Sequence, residues 1–206
     1  MILFAVPFLA ALLCAADVIP SAEVPADEVI RRCRTMVPAN VELSGRIILR
    51  NRKGISQAEH DYVLTRSNAV TRLTIDGNPI IQPADTTQTN QTAQTLLGTD
   101  VTWSDLALDY LWWPDCSYDG AHESETVYGQ VCSVVVMKKG DRSVKVWVDR
   151  KTGALMQAEE WRGDKPVRRL WGKRIKKFGD RWMANVLEVE TTGSGHRTKI
   201  TVEALK

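Results

Sequence analysis

The sequence predicts an α+β, mostly β protein: a curved antiparallel sheet forming an unclosed half-barrel, with helices over its inner face. Three observations carry this expectation. From Ser117 onward apolar residues recur with a period of two, in runs broken every 8 to 14 residues by turn formers such as Lys139-Gly140-Asp141 and Gly193-Ser194-Gly195. Connections this short join only antiparallel neighbours, because a parallel return needs a crossover of about a dozen residues or more. Two segments with helical periodicity supply apolar cover for a sheet of about ten strands, which twists until it curls. Tryptophan is also abundant: seven Trp stand against three Phe.

Met1 to Ala16 is uncharged and apolar, too short and too interrupted by Pro7 to span a bilayer comfortably. It reads as a secretory signal, with Cys14 and Ala16 as the small residues before a cut at Asp17. Lipid anchoring at Cys14 is the alternative, and Leu13 before it argues against that. Residues 17–206 are then one exported domain, large enough to fold without a staple.

Ala26 to Met36 places Val29, Ile30, Cys33 and Met36 at helical spacing, with Asp27 and Glu28 in the first turn and Pro38 beyond the end. Val41 to Arg50, Ser56 to Ser67 and Asn68 to Asp76 read as strands, the last ending at Asp76-Gly77-Asn78-Pro79. Ile81 to Gln94, crowded with Gln, Thr and Asn, reads as a solvated loop. After the capping candidates Thr99, Asp100 and Thr102, a single helix of about 12 to 15 residues is expected to run to Trp113, where Pro114 stops it. Its face would gather Trp103, Leu106, Tyr110 and Trp113. Strands follow at Ala121 to Tyr128, Val131 to Lys138, Ser143 to Asp149, Ala154 to Arg162, Val167 to Phe178, Arg181 to Thr192 and Arg197 to Leu205. They are expected to pair in sequential order.

Leu96 to Asp115 (LLGTDVTWSDLALDYLWWPD), then YGQVCSVVVM, VKVWVDRKTGALMQAEEWRGDKPVRRL and IKKFGDRWMANVLEVE resemble the LolA/LolB-like outer-membrane lipoprotein-sorting family. The resemblance covers about 110 residues. It implies a LolA-like half-barrel with a helical lid, whose concave apolar surface receives lipoprotein acyl chains or other lipid in the periplasm.

Catalytic chemistry finds little support. His60, His122 and His196 lie in separate segments without metal spacing. Ser194 and His196 share a turn, an arrangement that seldom makes a nucleophile and its base. Asp115, Asp119, His122, Glu123 and Glu125 match no calcium-loop spacing and read as a solvated connection. Neither a cofactor nor a metal is expected, and the protein reads as no enzyme. Cys116 and Cys132 are the expected disulfide; three buried thiols are the alternative.

The expected ligand site is a hydrophobic cavity and lid built from Trp103, Leu106, Tyr110, Trp112, Trp113 and Trp147, although taken one by one each Trp reads first as ordinary core. Adjacent Trp112 and Trp113 diverge by about 100° around a helix axis, so one of them must meet another surface. The net charge of +2 conceals a basic second half. Arg168, Arg169, Lys173, Arg174, Lys176 and Lys177 form a basic face, either a solvated rim or a docking patch for a membrane surface or an envelope protein. Export disfavours nucleic acid. Two functions follow: a carrier of acyl chains, or an envelope sensor that recognises a partner through the basic face.

Overall fold

The computed structural model describes residues 24–37, 39–67, 70–80, 95–120, 123–179 and 181–206. The leader with its Cys14 alternative, Pro38, the Gln/Thr-rich loop and His122 lie outside them. Among the described residues twelve antiparallel strands form one sheet, in the order β4-β3-β2-β1-β12-β11-β10-β9-β8-β7-β5, with β6 also paired to β7. The strands are β1 (Val41–Asn51), β2 (Ser56–Ser67), β3 (Val70–Ile75), β4 (Asn78–Ile80), β5 (Asp115–Tyr118) and β6 (Ser124–Val127). They continue as β7 (Gln130–Lys139), β8 (Arg142–Asp149), β9 (Leu155–Arg162), β10 (Lys165–Phe178), β11 (Arg181–Thr191) and β12 (His196–Leu205). The short turns make sequential neighbours pair, as expected. Two contacts depart from that order: β5 pairs with β7 rather than β6, and β1 pairs with β12, from Leu43 opposite Leu205 to Asn51 opposite His196, so the first and last strands meet mid-sheet. β4 and β5 do not pair, and the sheet stays open.

Helix α1 (Ala26–Met36) forms where its spacing predicts, with Asp27 and Glu28 at its N-terminus, Arg34 in its last turn, and Val29, Ile30 and Cys33 buried. The second helical segment is a correction. Helix α2 covers only Trp103–Ala107, capped by reciprocal bonds between Thr102 and Asp105. Leu108 then takes the left-handed conformation at φ 54, and a 3-10 turn, Asp109–Trp112, follows. Neither Gly nor Pro marks that break. Ser104 supports it from two atoms, its carbonyl accepting from the Leu108 amide at 2.8 Å and its hydroxyl donating to the Asp109 carboxylate.

The break sends the two halves of the segment into different cores. Trp103, Val101 and Ala107 pack on Ile47, Tyr62, Leu64, Leu73, Val189 and Ile200 from the β1, β2, β3, β11 and β12 side. Tyr110, Leu111 and Trp113 pack with α1 on Val135, Met137, Val144, Val146 and Val148 of β7 and β8. A third, smaller cluster of Cys132, Val134, Trp147 and Met156 forms on the opposite face of β7 and β8.

That geometry overturns the expected disulfide: Cys33, Cys116 and Cys132 are free thiols. Cys116 stands opposite Met137 on β7, five positions beyond Cys132 on the same strand. An odd offset points the two side chains to opposite faces, and five residues span about 16 Å, far beyond the ~4.4–6.8 Å that a disulfide allows between Cα atoms. Burial raises the Cys33 pKa to about 12 and that of Cys132 to about 11, while Cys116 is only partly buried. A thiol reagent at mildly alkaline pH should therefore modify Cys116 first in the folded protein, because only the thiolate reacts. In denaturant all three should react, as peptide mass spectrometry would show; a disulfide-linked peptide joining Cys116 to Cys132 would contradict the fold.

Candidate functional site

Between the two inner cores lies an apolar cavity of about 100 Å³. Its walls come from both sides of the seam. Leu43 and Leu64, directly opposite each other on β1 and β2, form one wall with Leu170 and Leu187. The cover is Cys33, Met36 and Val37 at the end of α1 together with Leu106 and Leu108 around the helix break. Trp182, Met183 and Ala184 of β11, with Val41 and Leu155, complete the lining, and Trp182 is 39% exposed. Arg66 is the one charged lining residue. Its Nη2 donates to the Ala107 carbonyl at 2.5 Å, and its guanidinium lies 5.7 Å from the centre of the Trp112 ring, so it ties β2 to the cover. Burial lowers the Arg66 pKa. A second tie runs from Arg34 Nε to the Leu111 carbonyl at 2.7 Å.

Of the expected cavity residues, only Leu106 lines this space. Trp103, Tyr110 and Trp113, each 4% exposed, are core side chains of the cover. Trp112 is 49% exposed, so the adjacent pair does diverge, one ring inward and one outward. Trp147 is displaced furthest: it packs on the opposite face of the sheet, its Nε1 donating to Glu125 Oε2 at 2.9 Å. Sequence reasoning missed Leu43, Leu64, Leu170, Leu187, Met36 and Arg66. The available signal was period-two alternation that puts leucines on one face of β1, β2, β10 and β11.

The basic face divides as well. Arg168 is an interior residue, its Nη2 contacting the Asp105 carboxylate and donating to the Asp100 carbonyl at 2.9 Å, with Glu160 Oε2 3.5 Å from Nη1. Arg169 Nε donates to Glu159 Oε1 at 2.5 Å, and Lys173 Nζ is 2.9 Å from Glu188. Arg174, Lys176 and Lys177 are exposed toward the β10–β11 turn, with Lys176 Nζ 5.4 Å from the centre of the Phe178 ring.

Ser194 Oγ donates to the backbone carbonyl of His196 at 3.1 Å, while the ring Nδ1 pairs with Asp100 at 2.9 Å. A nucleophile and its base are therefore not coupled there. Asp119 pairs with Lys145 at 2.9 Å, and among the described residues no group of three or more His, Cys, Asp or Glu is placed to hold a metal ion. Likewise no described helix is long and apolar enough to cross a membrane.

An open antiparallel half-barrel, with two short helices over its concave face and an apolar cavity beneath them, defines a LolA-like fold. A LolA superfamily protein from Nitrosomonas europaea has the same architecture, with a TM-score of 0.70 and 12% identity over 89% of this chain and 93% of that one. A DUF1329 family protein from Desulfovibrio piger gives 0.63 and 15% over 88% and 91%. A domain assigned to outer membrane lipoprotein sorting from Vibrio parahaemolyticus gives 0.64 and 12% over 88% and 91%. No curated protein matches the sequence. A family described as "-like: Uncharacterized protein" matches residues 79–206, and the chain belongs to that family.

Proposed function

We propose that residues 17–206 form a single periplasmic domain, freed of its leader, that binds acyl chains of lipoproteins or other lipids in the cavity between sheet and helices, without catalysis. The observation that carries this reading is the cavity lining, apolar except for Arg66. At about 100 Å³ the cavity is smaller than the roughly 150 Å³ apolar void that accepts one benzene. A long acyl chain therefore requires the cover to move away from the sheet. Two features suit that motion: the cover is broken at Leu108, and its ties to the sheet include the single guanidinium of Arg66. Each methylene taken from water then contributes about 0.8 kcal/mol.

Leu43 is partly exposed into this space, so a larger side chain there has room to enter it. Leu43→Trp is expected to weaken a fluorescent fatty-acid probe at least tenfold while leaving the far-ultraviolet dichroism and the melting temperature near those of the wild type. Unchanged probe affinity in a folded variant would reject the cavity as the lipid site. Native mass spectrometry of protein purified without detergent supplies the independent check, because acyl species should travel with the wild type. The sensor reading, which relies on the basic face, is less favoured because Arg168, Arg169 and Lys173 already pair with carboxylates. A membrane surface or envelope protein would meet only Arg174, Lys176 and Lys177 beside the cavity mouth at Trp182.

A further inference from the structure

We propose that the chain carries a second, polar site, for a phosphate-type oxyanion, at the end of the sheet where the β1–β2 and β11–β12 turns meet. A pocket of about 250 Å³ opens there, lined by the cations Arg50, Arg52, Arg197 and Lys199, by His196, and by Glu188 and Glu190. Both carboxylates are already engaged. Glu188 Oε2 lies 2.9 Å from Lys173 Nζ and 3.3 Å from Arg197 Nη1, and Glu190 Oε2 lies 2.8 Å from Arg197 Nη2. Among the described residues Arg50, Arg52 and Lys199 form no ion pair with a carboxylate, although Glu188 stands opposite Lys199 across β11 and β12, and the lining of four Lys and Arg against two Glu carries a net charge of +2.

The register adds one like-charge pair, which the carboxylates on β11 offset only from the Arg197 side. Arg50 stands directly opposite Arg197 across β1 and β12, and Lys199 is two positions along the same face. Like charges directly opposite destabilise a strand pair, and a local conflict of this kind in an otherwise consistent fold marks a functional position. Arg52 reaches across the neighbouring turn, its Nε 3.5 Å from where a side chain on Gly195 would begin; Gly195, at φ 80, leaves that path clear. His196 is held by the wholly buried Asp100, whose Oδ2 is 2.9 Å from Nδ1 and also accepts from the Thr198 hydroxyl at 3.1 Å, while its Oδ1 accepts from the Thr191 amide at 3.2 Å. The ring is thereby anchored on the Asp100 side of β12, and His196 borders the pocket without being counted among its charges.

Guanidinium groups match phosphate oxygens two at a time, and a net charge of +2 exceeds what a single carboxylate would balance. The pocket does not share its face with the lipid cavity: Glu188 lines one and its neighbour Leu187 the other, and adjacent strand residues point to opposite sides. The phosphate could be free or the head group of a lipid, and the two sources separate experimentally.

Inorganic phosphate titrated by calorimetry into the full domain, and phosphatidylcholine vesicles with and without phosphatidic acid, provide the two arms. The wild type should saturate with one phosphate per chain, or bind only the phosphatidic acid vesicles if the source is a head group. In whichever arm binds, Arg50→Gln with Lys199→Gln should lose at least tenfold in affinity, and Arg52→Gln alone should lose several-fold. Lys138→Gln with Lys151→Gln removes the same charge from exposed positions elsewhere and should leave binding unchanged. Absence of saturable binding in both arms, or equal weakening by the Lys138 and Lys151 pair, would overturn the site.

Discussion

Arg168→Met is expected to destabilise the protein by about 3–5 kcal/mol, the cost typical of breaking a buried ion pair from one side. The change removes the ion-pair partner of Asp105, which is 7% exposed and would stay buried as an uncompensated carboxylate, and one of two partners of Glu160, which is 8% exposed and keeps Arg142 at 3.4 Å. It also removes the donors to the Asp100 carbonyl at 2.9 Å and to the Thr102 hydroxyl at 3.3 Å, so the N-terminus of α2 loses its anchor to β10. Burial alone would lower the Arg168 pKa, but Asp105 and then Glu160 more than offset it and hold it above its ordinary value. A drop in melting temperature of about 6–20 °C corresponds to that range for a chain of this size. Hydrogen exchange should rise at Thr102 to Ala107 before it rises in the sheet. Lys177→Met, on an exposed position, serves as the control and should stay within about 0.5 kcal/mol of the wild type. A loss under about 1 kcal/mol for Arg168→Met would mean that water already reaches the network.

Gly45→Ala should cost about 3 kcal/mol or more, the upper range for inserting a carbon into a packed interior. A Cβ at Gly45 would lie 1.8 Å from the Thr201 carbonyl oxygen, 2.8 Å from its carbon and 3.3 Å from the Tyr62 ring. The obstruction is backbone, so no side-chain rotation relieves it. Gly45 sits at the register shift in the β1–β12 pair, the single contact joining the two halves of the sheet. The same Thr201 oxygen accepts from the Tyr62 hydroxyl at 3.2 Å, a bond the displacement would break. Gly77→Ala is the contrasting variant: nothing lies within 4 Å of its added carbon, and only the left-handed φ of 79° opposes it, so the cost should be about 1 kcal/mol. Denaturant melts of the two variants separate steric from conformational cost. Equal losses would show that β1 and β12 can part at Gly45 without penalty.

Alternation and turn chemistry by themselves determined ten of the twelve strands, all but the short β4 and β5, the antiparallel pairing of most neighbours, the need for helical cover and the α1 face of Val29, Ile30 and Cys33. Those signals are local: a period of two, a period near 3.6, and a Gly or Asp that stops each run. The Leu-lined character of the inner face was legible in the same alternation, although its members were not singled out. What only the tertiary structure decided depends on residues far apart in the chain. The pairing of β1 with β12 joins segments some 150 positions apart, and no short turn announces it. The placement of Cys116 and Cys132 on opposite faces follows from how β5 and β6 both pair with β7, which reversed the expected disulfide. The helix break at Leu108 comes from a non-glycine residue held left-handed by its surroundings, so propensity extended the helix through it. Arg168 reads as one more cation in a basic strand until Asp105 and Glu160 arrive from α2 and β9 to make it interior. Seven tryptophans identified a chain rich in large apolar surface, but only packing assigned them, with Trp113 in the core, Trp147 on the far face and Trp182 at the cavity. Burial is a property of the whole assembly, and a side chain's apolar character does not say which surface will cover it.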